Sequence, residues 1–283
     1  MNRVAIVTDS TAGLSAEACR ELSISVVPLL VNWDGKTYQD GIDIQAGDFY
    51  KKLAALKTVP TTSQPSVAAF EAVYAPLIEA GFDILTLPIS SKLSGTFDSA
   101  TQASQLFPSG RIKVMDSLQA SVPLALLVLA AARAAQKGAS LLEVVNLVAS
   151  YQKRIRTLFV VETLEYLRKG GRIGAAASFL GTTLNLKPIL ELKDGVILPL
   201  EKVRTSRKAI ARAFEIVEKE VGKQASQEFF GIASTEISTH FEEILKTARE
   251  KFRIQEEIIG ILSPVLGTHT GPGTLALVYL LPG

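Results

Sequence analysis

Short, continuous apolar runs alternate with helix-period stretches from the first residues onward, and this alternation limits the possible fold most. Val4-Ala5-Ile6-Val7, Ile24 to Val31, Ile84 to Leu87 and Ile112 to Met115 are strand candidates. Helical patterns lie among them at about Ser15 to Leu22, Val67 to Glu79, Thr96 to Leu106 and Ser121 to Gln136. Strands that are apolar on both faces and divided by helices belong to a parallel sheet covered on both sides. Ligands of such sheets gather beyond the carboxyl ends of the strands. The polar segments that follow these runs are therefore the places to look for function.

The second half has a different pattern. Arg156 to Val161 predicts a strand and Leu164 to Arg168 a short helix, followed by the glycine-rich turn Lys169-Gly170-Gly171-Arg172-Ile173-Gly174. Lys187 to Leu192 and Val196 to Leu200 flank Lys193-Asp194-Gly195, a hairpin signal. Helices at Thr205 to Val221 and Ser238 to Lys251 alternate with strands near Phe229 to Ala233 and Ile254 to Ile261, and Ala276 to Leu281 is the last strand. A polar, basic stretch at Lys153 to Arg156 separates the two patterns. It predicts domains of residues 1–154 and 155–283.

Composition excludes several classes. Of 283 residues, 47% are apolar, enough to build a core and to exclude disorder. A net charge of +2 gives no stripe for nucleic acid. The single cysteine, Cys19, excludes an internal disulfide or a multi-cysteine metal site and suits core packing. The longest apolar run, Val122 to Ala132, stops at Arg133, short of the ~20 residues of a membrane span. Met1-Asn2-Arg3 leads straight into a strand, so a soluble cytoplasmic protein is expected, with transient membrane contact left open. There is no phosphate-loop motif, no Gly-x-Gly-x-x-Gly after the first strand and no Gly-x-Ser-x-Gly elbow. With only two histidines, far apart, no metal and no cofactor are expected.

What remains is a set of hydroxyl-rich segments and one late histidine. Thr61-Thr62-Ser63-Gln64-Pro65-Ser66 and Ser90-Ser91-Lys92-Leu93-Ser94-Gly95-Thr96 are read as loops, and His269 as part of a third loop, Gly267 to Gly273. Ser and Thr serve turns by bonding nearby backbone, so each loop alone has a structural reading. Together, hydroxyls and an imidazole suit an acidic head group without placing a fixed charge beside it. Gly95-Thr96 opens a helix whose free N–H groups can face an anion. Arg172, Arg204 and Arg207 can clamp a carboxylate or phosphate, or be solvated cations. His240 reads as a surface or capping residue. A hydrolase using Ser94 with His269 as base is a weaker alternative, because the sequence places no acidic orienter.

At these residues the chain resembles the DegV family, whose members bind fatty acids. The matching segments are Val7-Thr8-Asp9-Ser10, Thr62-Ser63-Gln64-Pro65-Ser66, Ser90 to Thr96, Glu162 to Ile173 and His269-Thr270-Gly271-Pro272-Gly273. The resemblance implies an α/β protein of two domains. The N-terminal one would be a three-layer α/β/α unit with a parallel sheet, the C-terminal one a two-layer α/β unit with a mixed sheet, and the ligand would lie between them. It implies that Thr62 and Ser94 hold the fatty-acid carboxylate, with His269 nearby, and that Arg172 and Arg204 meet a partner or a new phosphate. The implied partner is a separate ATP-dependent fatty-acid kinase, to which the chain presents a long-chain fatty acid for acyl-phosphate formation. A fatty-acid-sensing regulator is the other reading. Phe97 and Ala276 stand where tyrosine and glycine are usual, and the wall of an acyl tunnel is expected along Phe179 to Ile189.

Overall fold

The computed structural model describes residues 3–55, 58–180, 186–236 and 238–282. The first half runs β1 (Val4–Asp9), α1 (Ala16–Glu21), β2 (Ile24–Val27), β3 (Leu30–Trp33), β4 (Lys36–Gln39), α2 (Ala46–Ala55), β5 (Thr61–Ser63), α3 (Val67–Glu79), β6 (Asp83–Leu87), α4 (Thr96–Ser104), β7 (Ile112–Val114), α5 (Val122–Gln136) and α6 (Leu141–Arg154). The second half runs β8 (Ile155–Val160), α7 (Glu165–Lys169), β9 (Lys187–Lys193), β10 (Val196–Val203), α8 (Ser206–Val221), β11 (Ser226–Gln227), β12 (Phe230–Ser234), α9 (Thr239–Lys251), β13 (Arg253–Ile254), β14 (Glu257–Ile261), α10 (Pro264–Thr270) and β15 (Leu275–Leu280).

Serine and threonine set many of the helix starts. Ser15, Ser66, Ser140, Thr205, Ser238 and Ser263 each accept a backbone N–H three residues on, which satisfies one of the free donors of the first turn. At α6, Glu143 reaches back to Ser140 and completes a capping box.

Strands β2-β1-β6-β7, in that order, form a wholly parallel sheet. One face packs Ala5, Val7 and Ile84 on Phe70 and Tyr74 of α3 and Ala100 of α4. The other packs Ile6, Leu85 and Leu87 on the apolar helix α5 and on Val144 and Val148 of α6. This is a three-layer α/β/α arrangement. The mixed sheet, order β10-β9-β8-β15-β12-β14, pairs β12 with β14 in parallel and its other neighbours antiparallel. Its outer face carries α8 and α9 over Leu158, Ile232, Leu277 and Tyr279. Its inner face turns toward α5, whose Val122 lies against Gly231 and Gly260 so closely that neither position has room for a Cβ. Helix α5 thus packs on both sheets, and one core joins the halves.

The run Ile24 to Val31 is not one strand. Pro28 cannot donate to a ladder, so β2 ends at Val27 and the chain re-enters as β3 in a separate antiparallel sheet, order β4-β3-β5. Leu29, Val31, Trp33, Phe49 and Val265 form the core beneath it. Segment Thr61–Ser63, expected as loop, is strand β5, with Thr62 opposite Val31. The stretch Ile254 to Ile261 is also two strands, β13 and β14. No helix among the described residues is long and apolar enough to cross a membrane.

Candidate functional site

The carboxyl ends of the parallel strands converge. Buried Asp9, the last residue of β1, accepts from Thr11 N at 2.9 Å and from Ile89 N, past β6, at 2.6 Å. Ser91 N donates to Asp116 Oδ1 at 3.1 Å, tying the β6 loop to the β7 loop. Strands β1 and β6 leave in opposite directions across the sheet, toward β2 and β7, so this edge is a topological switch point. A cavity opens there, between this edge and the inner face of the mixed sheet.

Leu29, Ile89, Ala120 and Ser121 line it from the parallel-sheet side. Thr157 and Phe159 of β8, Leu192 of β9, Ile197 of β10 and Ala276 of β15 line it from the mixed sheet. They share one face, as the two-residue period of a strand requires. Of the acyl-wall stretch expected from Phe179 to Ile189, residues 181–185 lie outside the described residues and the rest do not line the cavity; Leu192 and Ile197 stand on the wall. Ala276 presents its methyl to the cavity.

One end of the cavity is polar, and it gathers Thr62, Ser94, Arg172 and His269 from four distant stretches of sequence. His269 is not in a loop. It sits in the last turn of α10, a helix opened by the Ser263 cap and Pro264 and stopped at Gly271. Asp40, buried beyond β4, accepts from Ser10 Oγ at 2.7 Å and from Val265 N at 3.3 Å, so it anchors the start of that helix. His269 Nε2 lies 2.7 Å from Thr62 Oγ1. Burial, and secondarily the Arg172 charge, hold the imidazole down to about 4, which keeps it neutral near pH 7.

Ser94 Oγ lies 2.8 Å from Thr96 Oγ1, and Gly95 is the N-cap of α4 without a capping side chain. A Cβ on Gly95 would strike the Gln64 side chain, which lies across it. Arg172 donates from Nε to Leu93 O at 3.0 Å and from Nη1 to Gly170 O at 2.7 Å, bridging the two halves. Ser90 Oγ to Gly195 O at 2.9 Å and Tyr50 OH to Leu262 O at 3.1 Å are further links between them. Arg204 is exposed past the end of β10 and stands off the cavity wall. His240 is exposed on α9 beside Glu243.

Chemically, this end offers neutral hydroxyl donors and a neutral imidazole, with one guanidinium at its border. Nucleophilic catalysis would need Ser94 bonded to His269, but the imidazole faces Thr62 and the Ser94 hydroxyl faces Thr96. Among the described residues no group of three or more His, Cys, Asp or Glu could hold a metal ion.

Several lining residues are not apparent from the sequence. Ser121 has φ +64° and ψ −143°, an uncommon backbone for a non-glycine residue, at the start of α5. Thr157 is the single hydroxyl among the sheet residues of the wall, and its Oγ1 is buried without a partner among the described residues. The inward alternation of β8 could have suggested it.

The family model for DegV, an uncharacterised protein family, matches residues 3–281. The chain belongs to the DegV family. A DegV domain-containing protein of Halalkalibacterium halodurans is 36% identical over 282 residues, covering 99% of each chain. Among solved structures, a fatty-acid-binding DegV family protein of Thermus thermophilus is 34% identical, with a TM-score of 0.91 over 99% of this chain and 100% of that one. A stearic-acid-binding protein of Eubacterium ventriosum is 28% identical, with a TM-score of 0.87 over 99% of this chain and 98% of that one. The DegV fold, with its parallel and mixed sheets, is therefore shared along the whole described chain.

Proposed function

We propose that this DegV protein binds a long-chain fatty acid in the cavity, with the acyl chain along the mixed-sheet wall and the carboxylate at the polar end. The observation that carries this reading is one cavity with apolar walls and a polar end made of Thr62, Ser94 and a neutral His269. The fatty-acid binding of the Thermus and Eubacterium relatives supports it. Each buried methylene contributes about 0.8 kcal/mol, so about 14 of them offer on the order of 11 kcal/mol before association and ordering costs. Burying a carboxylate unpaired would cost several kcal/mol. Donors from Thr62 and Ser94, and the N-terminus of α4 at Gly95, offset that cost.

In this reading the two functional units are residues 1–154 and 155–283, and the acid is presented to a separate ATP-dependent kinase. A carboxylate oxygen attacks the γ-phosphorus of ATP, ADP leaves, and an acyl-phosphate forms. Arg172 at the border of the polar end and exposed Arg204 are the cations available to the incoming phosphate or to the kinase.

Native mass spectrometry of the purified protein tests the ligand class. A bound species with the mass of a long-chain fatty acid is expected. A ligand of another class, together with no binding of a fluorescent fatty acid, would overturn the assignment. Hydroxylamine trapping of an acyl-phosphate, formed only when ATP and the kinase are both present, tests the partnership. A kinase that gives no trapped product with the lipid-loaded protein would refute it.

A further inference from the structure

Gly170 and Gly171 are adjacent and are glycines for different reasons. Gly171 has φ +70°, a left-handed backbone, and a Cβ there would meet nothing within 4 Å. Gly170 has an ordinary helical backbone, φ −76° and ψ −7°, which any residue adopts. What forbids a side chain at Gly170 is space: a Cβ would lie 2.1 Å from His269 Nδ1 and 2.9 Å from its Cε1. The Gly170 backbone therefore lies directly against the imidazole. Arg172 holds it there through its bond to the Gly170 carbonyl.

The two ring nitrogens of His269 are consequently unlike. Nδ1 is buried and has no hydrogen-bond partner among the described residues, while Nε2 faces Thr62 Oγ1. A buried N–H without an acceptor is rarer and costlier than a buried lone pair without a donor. The proton of a neutral ring therefore belongs on Nε2.

We infer that Gly170 is a positioning residue: by closing off Nδ1 it fixes His269 as the Nε2–H tautomer, which donates to Thr62 Oγ1 and leaves the Thr62 hydroxyl proton free to point at the ligand. The opposite tautomer would take that proton for Nε2 and turn an oxygen lone pair toward the head group, which a carboxylate would repel. The arrangement thus selects a hydrogen-bond acceptor as head group. This deepens the fatty-acid reading and rests on it, while the tautomer itself is a property of the ligand-free protein.

The test is a long-range proton–nitrogen spectrum of the histidine rings in the delipidated full-length protein at neutral pH, with His240→Gln to assign the other ring. A protonated Nε2 and a bare Nδ1 are expected. A protonated Nδ1, or a charged ring, would overturn the inference whether or not a lipid binds. The expected tautomer in a protein that binds no fatty acid would overturn the functional proposal instead. Gly170→Ala should shift the Nε2–H resonance and weaken binding of a fluorescent fatty acid at least tenfold. Gly47→Ala, where a Cβ meets nothing within 4 Å, should change neither. Wild-type resonance and affinity in Gly170→Ala would remove its positioning role. Should that variant not fold, the wild-type spectrum still decides.

Discussion

The two ends of the cavity are built in opposite ways. The polar end takes Thr62 from a three-residue strand, Ser94 and Gly95 from the approach to α4, Arg172 from the turn after α7, and His269 from the last turn of a seven-residue helix. Each is held by a group far away in sequence: Thr62 by His269, the Leu93 loop by Arg172, and α10 by Asp40. The apolar end takes Thr157, Phe159, Leu192 and Ala276 from three neighbouring strands of one sheet. Their positions follow from strand register alone. Geometry at the polar end depends on a few cross-chain contacts, any of which can fail singly, whereas the wall is redundant. Substitutions at the two ends should therefore differ in what they change.

The largest effect is expected from removing both hydroxyls. Thr62→Ala combined with Ser94→Ala removes two hydrogen bonds to a charged group, costing about 3 kcal/mol or more, a loss on the order of a hundredfold or greater in fatty-acid affinity. Titration with a fluorescent fatty acid measures it. The melting temperature should fall modestly too, because Thr62→Ala leaves the buried Nε2–H of His269 without its acceptor, so affinity is read well below the transition. Unchanged affinity would show that the head group lies elsewhere.

Next in size is the pH dependence of His269. Burial first, then the Arg172 charge, lower its folded value to about 4, against about 6.5 in an unfolded chain. As pH falls below 6.5 the unfolded chain binds a proton that the folded one refuses until about 4, so stability drops across that window by no more than about 3 kcal/mol. The contribution is fully present above pH 6.5. Asp9 acts in the opposite direction, because burial foremost raises its carboxyl to about 6. It costs stability above that pH, and the cost is relieved as the pH falls toward 4. The difference between wild type and His269→Gln in urea melts at pH 7 and pH 4.5 cancels Asp9. The wild type should lose more on acidification, and equal losses would mean that the imidazole is not sealed.

A smaller effect belongs to the wall. Ala276→Leu adds bulk to a lining position, and overpacking of this kind typically costs about 1–3 kcal/mol. Affinity for an 18-carbon acid should fall about tenfold, and for a shorter acid less, in a competition assay. Equal losses at both lengths would place Ala276 near the head group. The smallest effect is that of Arg204→Ala. Exposed and off the cavity wall, it should leave fatty-acid affinity within about twofold. A large loss would extend the polar end well beyond Thr62 and His269.

The same contrast explains what the sequence revealed. The parallel sheet was legible because β1 and β6 carry apolar runs separated by helices, and the hairpin of β9 and β10 because Asp194-Gly195 marks its turn. The polar end was legible as residue types: Thr62, Ser94, Arg172 and His269 stand out in polar or glycine-rich segments of an apolar chain. Their local structure was less so. Segment Thr61–Ser63 is a strand because β3 offers a ladder from 30 residues away, which no local pattern reveals. His269 is helical because Ser263 and Pro264 start a helix in a stretch whose glycines suggest a loop. Helix α6 is absent from the predicted elements, although Ser140 and Glu143 form a capping box at its start. The wall was least visible of all, since Phe159 or Leu192 facing a cavity is indistinguishable in sequence from Leu158 or Ile189 facing the core. Gly170 looked like one more turn glycine, and only its contact with His269 separates it from Gly171.

The most direct measurement of ligand orientation is a crystal structure of the protein loaded with a fatty acid carrying bromine at its terminal carbon. The bromine should appear beside Phe159, Leu192 or Ile197, with the carboxylate within hydrogen-bond distance of Thr62 and Ser94. A bromine beside His269, or an acid bound outside the cavity, would contradict the division of the site into a polar head end and an apolar wall.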